Sequence, residues 1–148
     1  MDHSPAYIIK KYLVGEGLLV EPGDSGDWPA YVGILPDGKP DEVKNDIVAC
    51  MDTSPVKDGR IMGTGENILH YGVQILLRST AYNTGYAKME ALRASLESVN
   101  RDTIIISANT YRLDNITLTT GVVVVGQEEG SKRRELFSLN FLVTLKEI

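Results

Sequence analysis

The sequence predicts an α+β domain, a mostly antiparallel β-sheet with two α-helices packed on one face. Three observations carry this. Residues Leu69–Ser79 alternate as a strand does, with Leu69, Tyr71, Val73, Ile75 and Leu77 on one side. Two stretches have helical spacing, one near the N-terminus and one directly after that strand. The last third is a series of short apolar runs broken by turn residues. Strands grouped in blocks, instead of alternating one by one with helices, point to α+β and away from a doubly wound parallel sheet.

Ser4-Pro5 is an N-cap followed by proline at the first helical position, where the missing N–H costs nothing. The helix it starts is expected to run to about Val14 and stop in Gly15-Glu16-Gly17, with Ile8, Ile9, Tyr12 and Leu13 on one apolar stripe. "EPGDSGDWP" is turn chemistry. "AYVGILP" and "DIVACMD" read as strands, each followed by a polar loop, the second loop passing through Pro55, Asp58 and Gly59. The segment 15–67 is therefore expected to be loop-rich.

On the long strand, Ile68, His70, Gly72, Gln74, Leu76 and Arg78 form the mixed face, suited to water or to another polypeptide. A helix is predicted from an N-cap at Asn83 or Thr84 to about Val99, with Tyr86, Met89, Leu92, Leu96 and Val99 as its apolar stripe. Its Glu90–Arg93 and Arg93–Glu97 pairs contribute only about 0.2–0.5 kcal/mol each, so burial holds it. "TIIIS", "TYRLDNITLTTG" and "GVVVVG" follow as strands. The apolar phase of the second slips at Asp114-Asn115, which calls for a bulge or turn. After the charged loop "QEEGSKRR", a final strand places Phe137, Leu139, Phe141, Val143 and Leu145 on one face.

With 148 residues the chain suits one domain with a real core. A net charge of −5 argues against general duplex-DNA affinity, which needs a cationic surplus on some face. The single cysteine, Cys50, allows no internal disulfide and sits in an apolar run, so a buried, inert thiol is expected. The N-terminal residues lack the pattern of a signal peptide, and a reducing cytoplasm is the expected compartment.

A search for chemistry finds little. Of the two histidines, His3 is expected in a frayed terminus, and His70 has no second ligand at metal-binding spacing. "GTGEN" lacks the remaining residues of either phosphate-binding loop and precedes a strand. Asp24, Asp27, Asp37, Asp41, Asp46, Asp52 and Asp58 make the middle third acidic, and their Gly- and Pro-rich settings suit turn aspartates better than a metal cluster. Trp28 reads either as a cap on the core edge or as a partner anchor. No catalytic, cofactor-binding or metal-binding residue is assigned, and no enzyme activity is expected.

The strand "HYGVQILLRS", the helix start "YNTGYAK" and the late strand "LFSLNF" together resemble the tail terminator proteins of long-tailed bacteriophages, also called tail completion or minor capsid proteins. The resemblance runs from about Gly59 to Phe141 and is one of pattern and order. It implies a single domain over 1–148 that forms a homo-oligomeric ring, typically a hexamer, on the end of the tail tube. Such a ring stops tube polymerisation and presents the head-joining surface. The implied partners are copies of itself, the tail tube protein and a head-completion or connector protein. DNA would pass through without sequence-specific binding, no membrane is involved, and the place is the head-proximal end of the virion tail, assembled in the host cytoplasm. On this reading His70, Gln74 and Arg78 make subunit or lumen contacts. Trp28, Glu128, Glu129, Lys132, Arg133 and Arg134 serve partner docking, the last five on a projecting hairpin loop 127–134. The alternatives are a head-completion or connector protein, and a small metal-dependent enzyme.

Overall fold

A computed structural model describes residues 1–36, 46–60, 63, 67–127 and 134–148, with the side chains of 58–60, 67 and 68 left out. The elements are α1 (Pro5–Gly15), β1 (Ala30–Val32), β2 (Ile47–Arg60), β3 (Asn67–Ser79), α2 (Tyr82–Glu97), β4 (Asp102–Ile106), β5 (Asn109–Leu118), β6 (Val123–Gln127) and β7 (Glu135–Glu147). The fold is α+β, with the sheet order β1-β2-β3-β7-β5-β4 and β6 paired to β7 beside that path. Among the described strands β1 and β2 pair parallel and the other pairs are antiparallel, with an isolated parallel bridge between Val20 and Pro29.

Helix α1 starts as the sequence predicts. Ser4 Oγ accepts the Tyr7 N–H at 3.2 Å, and Pro5 occupies the first turn. A second cap comes from far along the chain, where Asp52 Oδ1 accepts the Ala6 N–H at 2.9 Å. A carboxylate there satisfies an orphan donor and meets the positive end of the helix dipole. Ile8, Ile9, Tyr12 and Leu13 are buried, and they join one core with Met89, Leu92 and Leu96 of α2 and the inward residues of the sheet. Inward on β3 are Val73, Ile75 and Leu77, and on β7 Phe137, Leu139, Phe141 and Val143.

The anticipated phase slip in β5 is a register shift between Leu113 and Asn115 against β7. Three expectations are corrected. The segment after Asp52, expected as a loop, continues β2 to Arg60. Register shifts between Thr53 and Val56 and between Lys57 and Gly59 absorb Pro55 without ending the ladder. Helix α2 begins at Tyr82 with Ala81 as a cap that makes no side-chain hydrogen bond. Tertiary packing decides this start: a Cβ on Gly85 would lie 2.6 Å from Phe137 Cε2 and 3.0 Å from Ser79 Cβ. His3 is not frayed, since its Nδ1 lies 2.7 Å from Tyr111 Oη and its ring stacks on Tyr7 at 5.3 Å.

Gly72 is required where β2 bends over β3. A Cβ there would meet Thr53 Oγ1 and come within 2.7 Å of the Ser54 carbonyl oxygen. Thr53 can rotate away, but the carbonyl moves only with the backbone. Gly72→Ala is therefore expected to cost about 1–3 kcal/mol, read as a lower urea midpoint at unchanged m-value.

Candidate functional site

The outer face of β3 carries the residues singled out for contacts, and each has a partner within the chain. His70 is half-buried, with Nδ1 2.7 Å from Thr144 Oγ1. Gln74 is half-buried and donates to Ser138 Oγ at 3.1 Å. Arg78 is only 1% exposed and donates to the Pro36 carbonyl at 2.8 Å. Four residues along a strand separate each from the next by about 13 Å, so the three do not converge on one reacting atom. Arg78 is corrected as a contact residue, because a side chain buried inside one chain offers no surface to a neighbour. Ile47 and Ala49 beside it on β2 are also fully buried, so this end of the outer face is a small interior of its own.

The docking residues fare in three ways. Trp28 is 9% exposed and belongs to the core, so it caps the core edge and is corrected as an anchor. Its φ of 68° is rare for so bulky a residue. The backbone on either side is pinned, with Val20 N–H donating to the Trp28 carbonyl and Ala30 N–H donating to that of Val20. Lys88 Nζ stands 5.8 Å from the indole centroid, and burial lowers its pKa against the opposing pull of Asp27. Arg134 is 1% exposed and is corrected likewise. Glu128, Glu129, Lys132 and Arg133 lie outside the described residues.

Three aspartates of the described residues do structural work, while Asp37, Asp41 and the side chain of Asp58 lie outside the described residues. Asp52 caps α1, Asp46 accepts the Thr80 N–H at 3.1 Å, and Asp102 accepts the Tyr12 hydroxyl at 3.2 Å. Among the described residues no three His, Cys, Asp or Glu side chains gather to hold a metal ion. Cys50 is fully buried, and burial pushes its thiol up to about 12, so it carries no thiolate at neutral pH.

An open cleft of about 480 Å³ lies between the end of α1 and β4, lined by Lys11, Tyr12, Glu16, Asp102 and Ile105 among others. Lys11 of its lining shares Glu21 with Lys10, and Tyr12 donates to Asp102. Lys11 Nζ is 2.5 Å from Glu21 Oε1, and Lys10 Nζ is 2.6 Å from the other carboxylate oxygen. Burial of Tyr12, reinforced by Glu16 and Asp102, raises its phenol pKa and keeps it protonated. No described residue in the cleft is a poised nucleophile with a base beside it.

The Glu21 clamp has a pH consequence. Burial alone would raise the carboxyl pKa, but hydrogen bonds from Lys10 and Lys11 outweigh it and the net shift is downward. A pKa lower in the folded than in the unfolded state stabilises above the unfolded value, and the gain is lost as pH falls through the folded one. Wild type is expected to lose more of its urea midpoint than Glu21→Gln between about pH 5 and about pH 3. Parallel loss in the two proteins would remove the clamp's role.

Ile105 at the cleft is 70% exposed, and a further exposed apolar patch lies elsewhere. Tyr82 and Tyr86 stack at 6.4 Å and 7° on the first turns of α2, 47% and 41% exposed, and both rings abut Phe137. Tyr86 was expected on the buried stripe. Phe137 pairs with Val124 of β6, where Val123, Val124 and Val125 are all exposed. The sequence signal for this patch is a valine run between glycines in a stretch without charge from Ile116 to Gln127, together with tyrosines four apart. Neither a family model nor a curated protein sequence matches the chain.

Proposed function

We propose that this chain is a structural virion protein, a ring-forming cap on the end of a phage tail tube that stops tube growth and forms the joining surface for the head. One observation supports this most. The three segments that carry the resemblance meet at a single point of packing. Leu77 and Ser79 come from the strand, Gly85 with Tyr82 and Tyr86 from the helix start, and Phe137 from the late strand. The shared pattern therefore specifies how a helix seats on a sheet, as expected of a family defined by shape. Half-buried His70 and Gln74 keep their place as candidate subunit or lumen contacts. Head-to-tail ring contacts need two different patches per subunit, each burying on the order of 1,000 Å² in total.

The test mixes the purified protein with cognate tail tubes and, separately, with DNA-filled heads, followed by electron microscopy. The cap reading expects ring density on one end of the tubes and no further growth when tube subunits are added. Binding to heads alone would favour a head-completion or connector role. Heat released on titration with magnesium or manganese would favour the metal-dependent enzyme and count against the cap.

A further inference from the structure

The cleft beside β4 offers backbone groups as well as side chains. β4 ends the strand order and pairs with β5 alone among the described strands, through a two-residue turn with Ser107 at φ 56°. In an antiparallel pair, opposite residues alternate between turning N–H and C=O toward each other and turning both away. Ile106 and Asn109 close the turn and face each other, as then do Ile104 with Tyr111 and Asp102 with Leu113. Thr103 and Ile105 therefore point N–H and C=O outward, away from β5. The far side fixes the same phase, because the Thr110 carbonyl, opposite Ile105, accepts the Ile148 N–H at 2.8 Å. No backbone partner for these outward groups occurs among the described residues.

This edge is walled on the helix-bearing face. The last turn of α1 stands beside it, and the cleft of about 480 Å³ between them is lined by Tyr12, Glu16, Asp102 and Ile104. Asp102 and Ile104 lie on the same face as Tyr111 and Leu113 of the core, whereas Thr103 and Ile105 point to the opposite face. The walled side is negative. Asp102 meets only the neutral Tyr12 hydroxyl, Glu16 makes no ion pair among the described residues, and Lys11 is drawn off to Glu21. The carboxyl end of α1, capped by Glu16, adds the negative end of the helix dipole.

We infer that the β4 edge and the last turn of α1 form a groove for an extended segment of a partner protein with Lys or Arg at alternate positions. The segment adds to the sheet as a further strand, its backbone answering the outward N–H and C=O groups of Thr103 and Ile105. Side chains of an added strand alternate between the two faces of the sheet. Those on the walled side meet Glu16 and Asp102, and those on the other side lie along exposed Ile105. Charge complementarity commits the groove to this occupant, since lysine and arginine form charge-assisted hydrogen bonds with carboxylates. A second copy's β4, "DTIII", holds no base and would leave both carboxylates unanswered. The inference does not rest on the tail-cap reading, and its test uses peptides alone.

The test titrates the full chain with acetyl-Val-Lys-Val-Lys-Val-amide and follows the amide NMR signals of Thr103 and Ile105. Saturable shifts at these two residues are expected. The Val-Glu-Val-Glu-Val counterpart should bind at least about tenfold more weakly, and so should the lysine peptide on a Glu16→Gln, Asp102→Asn double variant. N-methylation of the peptide gives a readout that needs no protein variant. Alternate amides of a strand face opposite sides, so methylating the lysine amides or the valine amides should abolish binding in one case and spare it in the other. Shifts that do not saturate or that fall away from the groove overturn the inference. So do equal binding of the glutamate peptide and equal effects of the two methylation patterns. Shifts at Thr103 and Ile105 that grow with protein concentration and no peptide would assign the edge to a second copy and equally overturn it.

Discussion

Phe137→Ala is expected to destabilise the protein by about 3–5 kcal/mol, the range for removing a large aromatic from a core that cannot close over the gap. Phe137 is fully buried and lies under the start of α2, where Gly85, Tyr82 and Tyr86 meet it. Because the glycine is already at closest approach, the helix has little room to settle into the void. At about 2–4 °C per kcal/mol for a chain of this size, the melting temperature should fall by roughly 6–20 °C. Far-UV circular dichroism and urea unfolding would check it. Phe137→Leu should recover part of the loss, since most of the volume returns. A loss under about 1 kcal/mol in Phe137→Ala would mean that this contact does not seat the helix.

Arg78→Glu is expected to cost at least about 3 kcal/mol, because it leaves an uncompensated charge where water does not reach. The native guanidinium donates to the Pro36 carbonyl, and a carboxylate in its place offers that oxygen no donor. A surface contact residue behaves differently: its charge reversal weakens assembly and leaves the single chain as stable as before. The two roles are separated by measuring unfolding and mass on the same variant. Unchanged urea unfolding in Arg78→Glu would return the residue to the surface role that its strand phase suggests. Arg78→Met should cost less, since it loses the donor without burying a new charge.

Much of the fold is legible along the chain because its signals are local. Ser4-Pro5 states where α1 begins, and the alternation of Leu69–Ser79 states which side of β3 is core. The slip at Asp114-Asn115 states that β5 is irregular, and the register shift against β7 lies there. Cys50 reads as inert from its apolar neighbours, and its burial agrees.

The candidate contact surface was much less legible. Arg78 and Gln74 have the same phase on the same strand, yet one is buried and the other half-exposed. Phase assigns a side chain to a face but does not say what covers that face. Trp28 left two readings open and Arg134 misleads for a similar reason: a Gly/Asp-rich turn and a basic run both look like surface, whereas each of these side chains is buried. The exposure of the β6 valines was not legible because a valine run reads alike in a central strand and at a surface.

The sequence by itself determined the α+β class, the order of helices and strands, the inward faces of β3 and β7, and the absence of any recognisable catalytic motif. These follow from periodicity, capping and residue chemistry, all of which act within a few residues. Only the tertiary structure decided that β2 runs past Pro55, that α2 starts where Gly85 meets Phe137, that Arg78 lies inside and that the β6 valines are exposed. Each of those depends on which distant segments come together and how closely, and strand pairing and burial are properties of that juxtaposition.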